Sequence, residues 1–205
     1  DAAELAAAEA QEVSDFLVDL FEISDPTQSL GRTITAREVL NTGRDRIAQE
    51  LQDQPEVRAT LLGTIGRVYG NLALYEDARP LLDEALALRS EASPEGDLRV
   101  VQSLRDLADL DRRTDRFAQA DSLRRRAMEI AVRLDGERSE AALSDLSAIG
   151  GIQYAAGDFD AAEATLREAL EGLQGVYEED HEEIAFATHA LGAVAFRVGQ
   201  YDSSE

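Results

Sequence analysis

The sequence predicts an all-α fold, a right-handed superhelical solenoid of antiparallel helix pairs. Apolar residues recur at spacings of three and four, as they do on one face of a helix. Valine, isoleucine and threonine form no alternating runs, so strands are not expected. A single pair of helices cannot bury its apolar face alone and must stack on neighbouring pairs. Aromatic residues recur every 42 residues, at Tyr75, Phe117, Phe159 and Tyr201.

Small residues keep the same period and indicate where the two helices of a pair, A and B, cross. Ala78 and Ala85 follow the first aromatic, and alanine stands at both positions again in the next two repeats. A small residue at a crossing lets two helix backbones approach closely, while leucines fill the space beside it. The aromatic before each helix B is expected to fill the gap to the following repeat. A second series of small residues, in helix A, is Gly66, Ala108, Gly150 and Gly192.

Turns that contain glycine separate the predicted helices. Gly157 and Gly199 stand between helix A and helix B of their repeats, where glycine favours a helix end. Further turn signals separate one repeat from the next. The predicted units are a degenerate N-terminal helix pair that caps the array and four repeats, the last of them truncated: 1–56, then 57–98, 99–140, 141–182 and 183–205.

The N-terminal segment follows the period only in part, because Gly43 stands where the period predicts an alanine. Its apolar pattern predicts two helices. Pro26 is expected to end the first of them. Thr35, with Glu38 three residues later, predicts a capping box at the start of the second.

The first repeat resembles the tetratricopeptide signature in the residues Leu62, Ile65, Gly66, Tyr69, Tyr75, Ala78, Leu82 and Ala85. The common period of that family is about 34 residues, and the longer period here resembles that of kinesin light chain. The resemblance implies a non-enzymatic scaffold that binds a peptide or protein surface in a concave groove. The second repeat departs from the pattern at Asp111 and Arg124, so we expect it to be less well packed.

Residues 13–26 and 34–40 resemble the segment that opens the repeat region of many bacterial serine/threonine kinases. In those proteins a kinase domain is usually followed by a transmembrane helix and then by the repeats. The resemblance implies the non-catalytic sensory or docking region of such a kinase, on the extracytoplasmic side of the inner membrane. If the parent protein is not such a kinase, we expect a cytoplasmic regulator. The start at Asp1 and the end within a repeat at Glu205 indicate a piece of a longer protein.

In tetratricopeptide arrays the A helices line the concave groove, which gives a set of candidate peptide-binding residues. Several of them are arginines, whose guanidinium groups bind carboxylates through two parallel hydrogen bonds. An acidic peptide or a peptide C-terminus is therefore the expected ligand. The alternative is that these arginines pair with nearby acidic residues and only solvate the surface. The candidates are Arg67, Asn71, Arg105, Asp109, Arg112, Tyr154, His189 and Arg197.

The composition excludes several functional classes. All 20 basic residues are arginine and no cysteine occurs, so a P-loop lysine, a thiol nucleophile and a disulfide framework are absent. A net charge of −22 argues against nucleic-acid binding, and no apolar run of about 18 residues predicts a membrane span. No catalytic set, cofactor or metal is expected. The acidic run at 178–183 lacks the ligand spacing of a calcium loop, and His181 and His189 have no catalytic partner pattern.

The acidic charge and the C-terminal aromatic residues lead to two further expectations. The acidic excess predicts a solvated shell and a halophilic origin, because high salt screens self-repulsion. Phe186 and Phe196 lie near the truncated end, where an exposed apolar patch would favour a homodimer. A self-associating structural module is therefore the alternative function.

Overall fold

The computed structural model describes residues 2–22, 35–177 and 181–202. Within these residues the chain is helical apart from short connections and contains no strand, which confirms the predicted all-α fold class. The helix end predicted at Pro26 lies outside the described residues. The helices are α1 (Ala2–Glu22), α2 (Ala36–Glu50), α3 (Pro55–Asn71), α4 (Tyr75–Ala92), α5 (Leu98–Arg113), α6 (Phe117–Asp135), α7 (Glu140–Ala156), α8 (Phe159–Gln174) and α9 (Glu182–Asp202).

The chain divides into two compact units, Asp1–Ala92 and Ser93–Glu205. The first unit holds α1 to α4, and the second holds α5 to α9. Within each unit, helices joined by short connections pack against each other as antiparallel neighbours. By the 42-residue period, α3, α5, α7 and α9 are A helices, and α4, α6 and α8 are B helices.

In the first unit, α1 and α2 pack against each other and against α3. Gly43 of α2 lies where these three helices meet. A methyl group on Gly43 would lie 2.8 Å from Leu20 Cδ2 and 2.9 Å from Ile65 Cδ1. The departure from alanine at this repeat position therefore follows from closer packing than an alanine would allow.

Small residues of the A helices lie where helices A and B cross, as the period predicts. A methyl group added at Gly66 would lie 2.7 Å from Leu82 Cδ2 within the first unit. One added at Gly150 would lie 2.6 Å from Leu166 Cγ within the second unit. In both repeats a leucine of helix B therefore rests directly on the backbone of helix A, which confirms the predicted arrangement of small and large residues.

Phe159 fills the space between α8 and the next A helix. The centroid of its ring lies 5.7 Å from that of Tyr154. Both rings pack against a buried cluster that contains Ala162 and Leu166 of α8 and Val194 of α9. The role predicted for the aromatic before helix B is therefore confirmed in this repeat.

Most helix ends lie where the sequence predicts them. The capping box at the start of α2 is formed, because Glu38 N donates to Thr35 Oγ1 at 3.2 Å and Thr35 N donates to Glu38 Oε2 at 2.9 Å. Gly157 ends α7 with a φ of +86°, a left-handed conformation that glycine adopts without strain.

The helix end predicted at Gly199 is wrong, because α9 continues as a helix to Asp202. A glycine within a helix costs only about 1 kcal/mol relative to alanine, so it does not end a helix by itself. In the other repeats, helix B folds back and packs on helix A, and tertiary packing of this kind decides where helices form. Among the described residues no helix B follows Gly199, so that stabilisation is missing.

The second repeat, formed by α5 and α6, is closely packed, so the expectation of looser packing is wrong. Leu104 and Ala108 of α5 and Ala120 of α6 have no exposed surface. The two residues that depart from the repeat pattern are themselves largely buried, with 3% of the Asp111 side chain and 11% of the Arg124 side chain exposed. The partners of Arg124 explain how a charged side chain fits there.

Candidate interaction surface

We use the name A-helix face for the surface of the second unit to which the A helices α5, α7 and α9 contribute. On this face of the second unit, Arg112 of α5 and both His189 and Arg197 of α9 are exposed. Tyr154 of α7 is half-buried and packs against Phe159. Arg112 forms no ion pair with any residue that the structure describes.

The candidates of the first unit, Arg67 and Asn71, are both exposed side chains of α3. They stand four positions apart and therefore share one face of that helix. The structure thus places these two candidates together at the surface of the first unit.

Arg105 of α5 forms a two-pronged ion pair with Asp145 of α7. Its Nε donates to Asp145 Oδ1 at 2.8 Å, and its Nη2 donates to Oδ2 at 2.7 Å. The same Nη2 donates to the backbone carbonyl of Ala141 at 2.8 Å. Asp145 has no exposed surface, so its charge depends on these donors. Arg105, one of the arginines predicted to bind an acidic ligand, is thus bound to an internal carboxylate, as in the alternative of local pairing.

Arg124 of α6 completes a cluster of four charges. Its Nη1 donates to Asp145 Oδ1 at 2.9 Å, and its Nη2 donates to Asp109 Oδ1 at 2.8 Å. Burial alone would lower the pKa of Arg124, but the carboxylates of Asp109 and Asp145 outweigh that effect and raise its pKa above the usual value. Arg124 stands where the first and third repeats have Leu82 and Leu166. A charged link between helices therefore replaces a leucine contact.

The charge cluster consists of Arg105, Asp109, Arg124 and Asp145, joins α5, α6 and α7, and carries no net charge. Sequence reasoning missed Asp145 and did not pair it with Arg124. The signal was present, because Asp145 stands where the first repeat has Leu61. Two opposite charges, Asp145 and Arg124, at positions that the first repeat fills with Leu61 and Leu82 indicate a buried ion pair.

A cavity of about 290 Å³ lies next to the charge cluster, between α6, α7 and α9. Ser144 of α7 and Phe186 of α9 both line it, and these two residues occupy the same repeat position, 42 residues apart. Equivalent positions of two successive A helices thus form one cavity. The full lining is Arg124, Ser144, Ala148, Glu182, Glu183 and Phe186.

The first turn of α9 is held in place by contacts around His181. The His181 ring stacks on Tyr177 with 3.6 Å between the ring centroids, and its Nδ1 accepts a hydrogen bond from Glu183 N at 3.3 Å. Ser144 Oγ donates to Glu183 Oε1 at 3.0 Å. Glu182 and Glu183 open the helix, where the helix dipole favours negative charge. These contacts fix the Glu183 carboxylate at the edge of the cavity, and Glu182 lies beside it.

Among the residues that the structure describes, no group of three or more histidine or acidic side chains is arranged to hold a metal ion. Part of the acidic run considered at 178–183, namely 178–180, lies outside those residues. None of the described helices is long and apolar enough to cross a bilayer.

A protein-family model described as tetratricopeptide repeat matches residues 56–131, 99–175 and 140–205. The chain belongs to the tetratricopeptide repeat family. Repeats of this family form scaffolds that bind proteins or peptides, so the tetratricopeptide chain is an interaction scaffold and not an enzyme. No curated protein sequence matches it.

The fold of this tetratricopeptide chain is shared by several solved structures, among them two crystal structures. One is BtubC (BKLC) from P. vanneervenii, with a TM-score of 0.70 and 22% identity over 98% of this chain and 80% of that chain. The other is a putative kinesin light chain with nearly identical TPR-like repeats from Podosopora anserina. It gives a TM-score of 0.71 and 15% identity over 94% of this chain and 89% of that chain. The resemblance to the repeats of kinesin light chain is therefore confirmed at the level of the fold.

Proposed function

We propose that the A-helix face of the second unit binds a peptide or the surface of a partner protein. The observation that carries this proposal is the cavity that Ser144 and Phe186 line from equivalent positions of α7 and α9. Both residues belong to A helices, and in tetratricopeptide arrays the A helices line the concave groove. Arg112, His189 and Arg197 add exposed polar groups on the A helices of the same unit.

Binding at this surface needs no covalent step. The charge cluster links α5, α6 and α7 through bonds of 2.7–2.9 Å, and the buried cluster around Phe159 links α8 to α9. A surface whose helices are already fixed loses little conformational entropy when a partner binds. Rigidity of this kind suits a scaffold that presents a preformed site.

Selection of binders from a phage-displayed library of random peptides tests the proposal. We expect the recovered peptides to bind the wild-type chain and to lose at least about tenfold in affinity for Ala148→Arg, which fills the cavity. The matched control is Ala118→Arg, the same change at an exposed position of the B helix α6. Peptides that bind all three proteins equally well would place the binding surface elsewhere.

We also propose that the chain is the docking or sensory region of a bacterial serine/threonine kinase. This proposal is supported only by the resemblance of residues 13–26 and 34–40 to such proteins. The coding sequence upstream of Asp1 tests it. We expect that sequence to encode a kinase domain and one hydrophobic segment. If it encodes neither, a cytoplasmic regulator is the favoured function.

Self-association is a second candidate function, because α9 exposes large apolar side chains. Phe186 is 51% exposed and Phe196 is 66% exposed. Exposed aromatic residues on one helix favour contacts between chains. Light scattering should then show a dimer of the wild-type chain that dissociates in Phe196→Ser. A wild-type monomer across the micromolar range would remove this candidate.

A further inference from the structure

The cavity on the A-helix face has the size of a pocket for one long side chain. Its volume is about 290 Å³, just below the range of about 300–1,000 Å³ that is typical of small-molecule sites. Its walls come from three helices of the second unit: α6, α7 and α9. The chemistry of these walls identifies which side chain would fit.

The cations beside the cavity are already neutralised. Arg124 lines the cavity, but two of its nitrogens donate to Asp109 and Asp145, at 2.8 and 2.9 Å. Arg105 is bound to Asp145 through both of that carboxylate's oxygens. The cluster therefore contributes two positive and two negative charges and leaves no net positive charge for an acidic ligand.

The charge that remains at the cavity is negative. Glu182 and Glu183 both line it, and neither forms an ion pair with a cation among the described residues. The hydrogen bond from Ser144 Oγ holds Glu183 towards α7. A carboxylate positioned in this way can accept further hydrogen bonds from a cationic donor.

An aromatic ring lies beside these carboxylates. Phe186 lines the cavity and is 51% exposed, and Ala148 gives the opposite helix a small apolar surface. A guanidinium group stacks on an aromatic face and forms two parallel hydrogen bonds to a carboxylate. Its aliphatic stem suits the apolar part of the wall. Among protein side chains, arginine combines these three properties.

We infer that the cavity takes an arginine side chain from a basic segment of a partner protein. The guanidinium group stacks on Phe186 and donates to Glu182 and Glu183. This inference rests on the proposed function and names the ligand chemistry of the same surface. The expected ligand is therefore basic and not acidic, because Arg124 at the cavity and Arg105 beside it are already bound to aspartates.

Titration of short peptides into the isotopically labelled chain, followed by amide chemical shifts, tests the inference. The peptides are acetylated and amidated Gly-Ala-Xaa-Ala-Gly, with arginine, citrulline, lysine, leucine or glutamate at Xaa. Citrulline has the shape of arginine without its charge. We expect the arginine peptide to shift the amides of Ala148 and Glu183 and to bind at least about fivefold more tightly than the citrulline peptide.

Two variants with the same change in charge locate the effect. Glu182→Gln/Glu183→Gln should abolish the preference for arginine over citrulline, whereas Glu168→Gln/Glu171→Gln, on the exposed surface of α8, should preserve it. Phe186→Leu keeps an apolar wall and should reduce the preference for arginine over lysine. This variant tests the role of the aromatic ring separately from that of the carboxylates of Glu182 and Glu183.

Tighter binding of the glutamate peptide, or a preference for arginine that survives both Glu182→Gln/Glu183→Gln and Phe186→Leu, would overturn the inference. If acidic peptides recovered from the phage library lose affinity for Ala148→Arg, the proposed function stands and the inference alone fails. If recovered peptides of every kind ignore Ala148→Arg, the proposed function fails with it.

Discussion

Four A helices carry a small residue at one repeat position, but the space around that position differs between them. At Gly150, an added methyl group would lie 2.6 Å from Leu166 Cγ. At Gly192 of α9, no described residue beyond the adjacent backbone of the same helix has an atom within 4 Å of the same point. The sequence shows two identical glycines, and only the packing separates their roles.

Alanine substitutions at these two glycines should therefore have opposite effects. Gly150→Ala is expected to lower the free energy of unfolding by about 1–3 kcal/mol, because Leu166 must move. Gly192→Ala should raise it by up to about 1 kcal/mol, because alanine is the better helix former and meets no neighbour. Urea unfolding of both variants measures the difference. Equal effects would show that the crossing at Gly150 is not tight.

Asp97 caps the N-terminus of α5 and supplies a prediction about pH. Its Oδ1 accepts hydrogen bonds from Arg99 N at 2.9 Å and Val100 N at 3.0 Å. Burial alone would raise the pKa of Asp97, but these bonds and the Arg99 guanidinium hold it below its usual value of 3.8. A carboxylate whose pKa is lowered on folding stabilises the protein above its unfolded pKa and loses that effect as the pH falls through the folded pKa.

Asp97→Ala should therefore lower the free energy of unfolding by about 1 kcal/mol near neutral pH. The difference from wild type should shrink as the pH falls below 3.8. Asp97→Asn, which can still accept both backbone bonds, serves as the control and should cost less. Thermal unfolding at several pH values provides the measurement. A cost of Asp97→Ala that grows on acidification would contradict the assignment of the cap.

At the scale of helices, the charge cluster provides the sharpest prediction. Asp145→Asn removes the buried charge to which both Arg105 and Arg124 are bound. It should lower the free energy of unfolding by about 3–5 kcal/mol. The triple variant Arg105→Ser, Arg124→Leu and Asp145→Leu carries the residues of other repeats. It should recover most of the lost free energy of unfolding, because apolar packing often stabilises a protein as much as a buried ion pair does. A single Asp145→Asn variant as stable as wild type would contradict this account.

Much of the helix arrangement could be predicted because it follows from a period within one chain. The period specifies where helices A and B cross and where Gly157 ends α7. It could not specify the end of α9, because a break at Gly199 depends on a following helix B that packs back. The pairing of Arg105 with Asp145 was missed for a related reason, since it joins residues 40 positions apart. The repeat pattern marks such residues as irregular but does not state which of them meet.

For the whole chain, the net charge of −22 over 205 residues predicts a strong dependence on salt. Self-repulsion opposes the folded state, and the screening length falls from about 10 Å at 0.1 M salt to about 3 Å at 1 M. The melting temperature should therefore rise between low and molar sodium chloride. Sucrose at equal osmolality is the control for solute exclusion. A melting temperature that stays constant or falls would show that repulsion does not limit stability.

The central claim is that the A-helix face of the second unit is the binding surface. Photo-crosslinking tests it most directly, with a peptide recovered from the phage library that carries one benzophenone side chain. We predict crosslinks to residues of α5, α7 and α9, concentrated around Ala148 and Phe186, and their loss in Ala148→Arg. Crosslinks confined to the B helices α6 and α8, and unchanged in that variant, would contradict it.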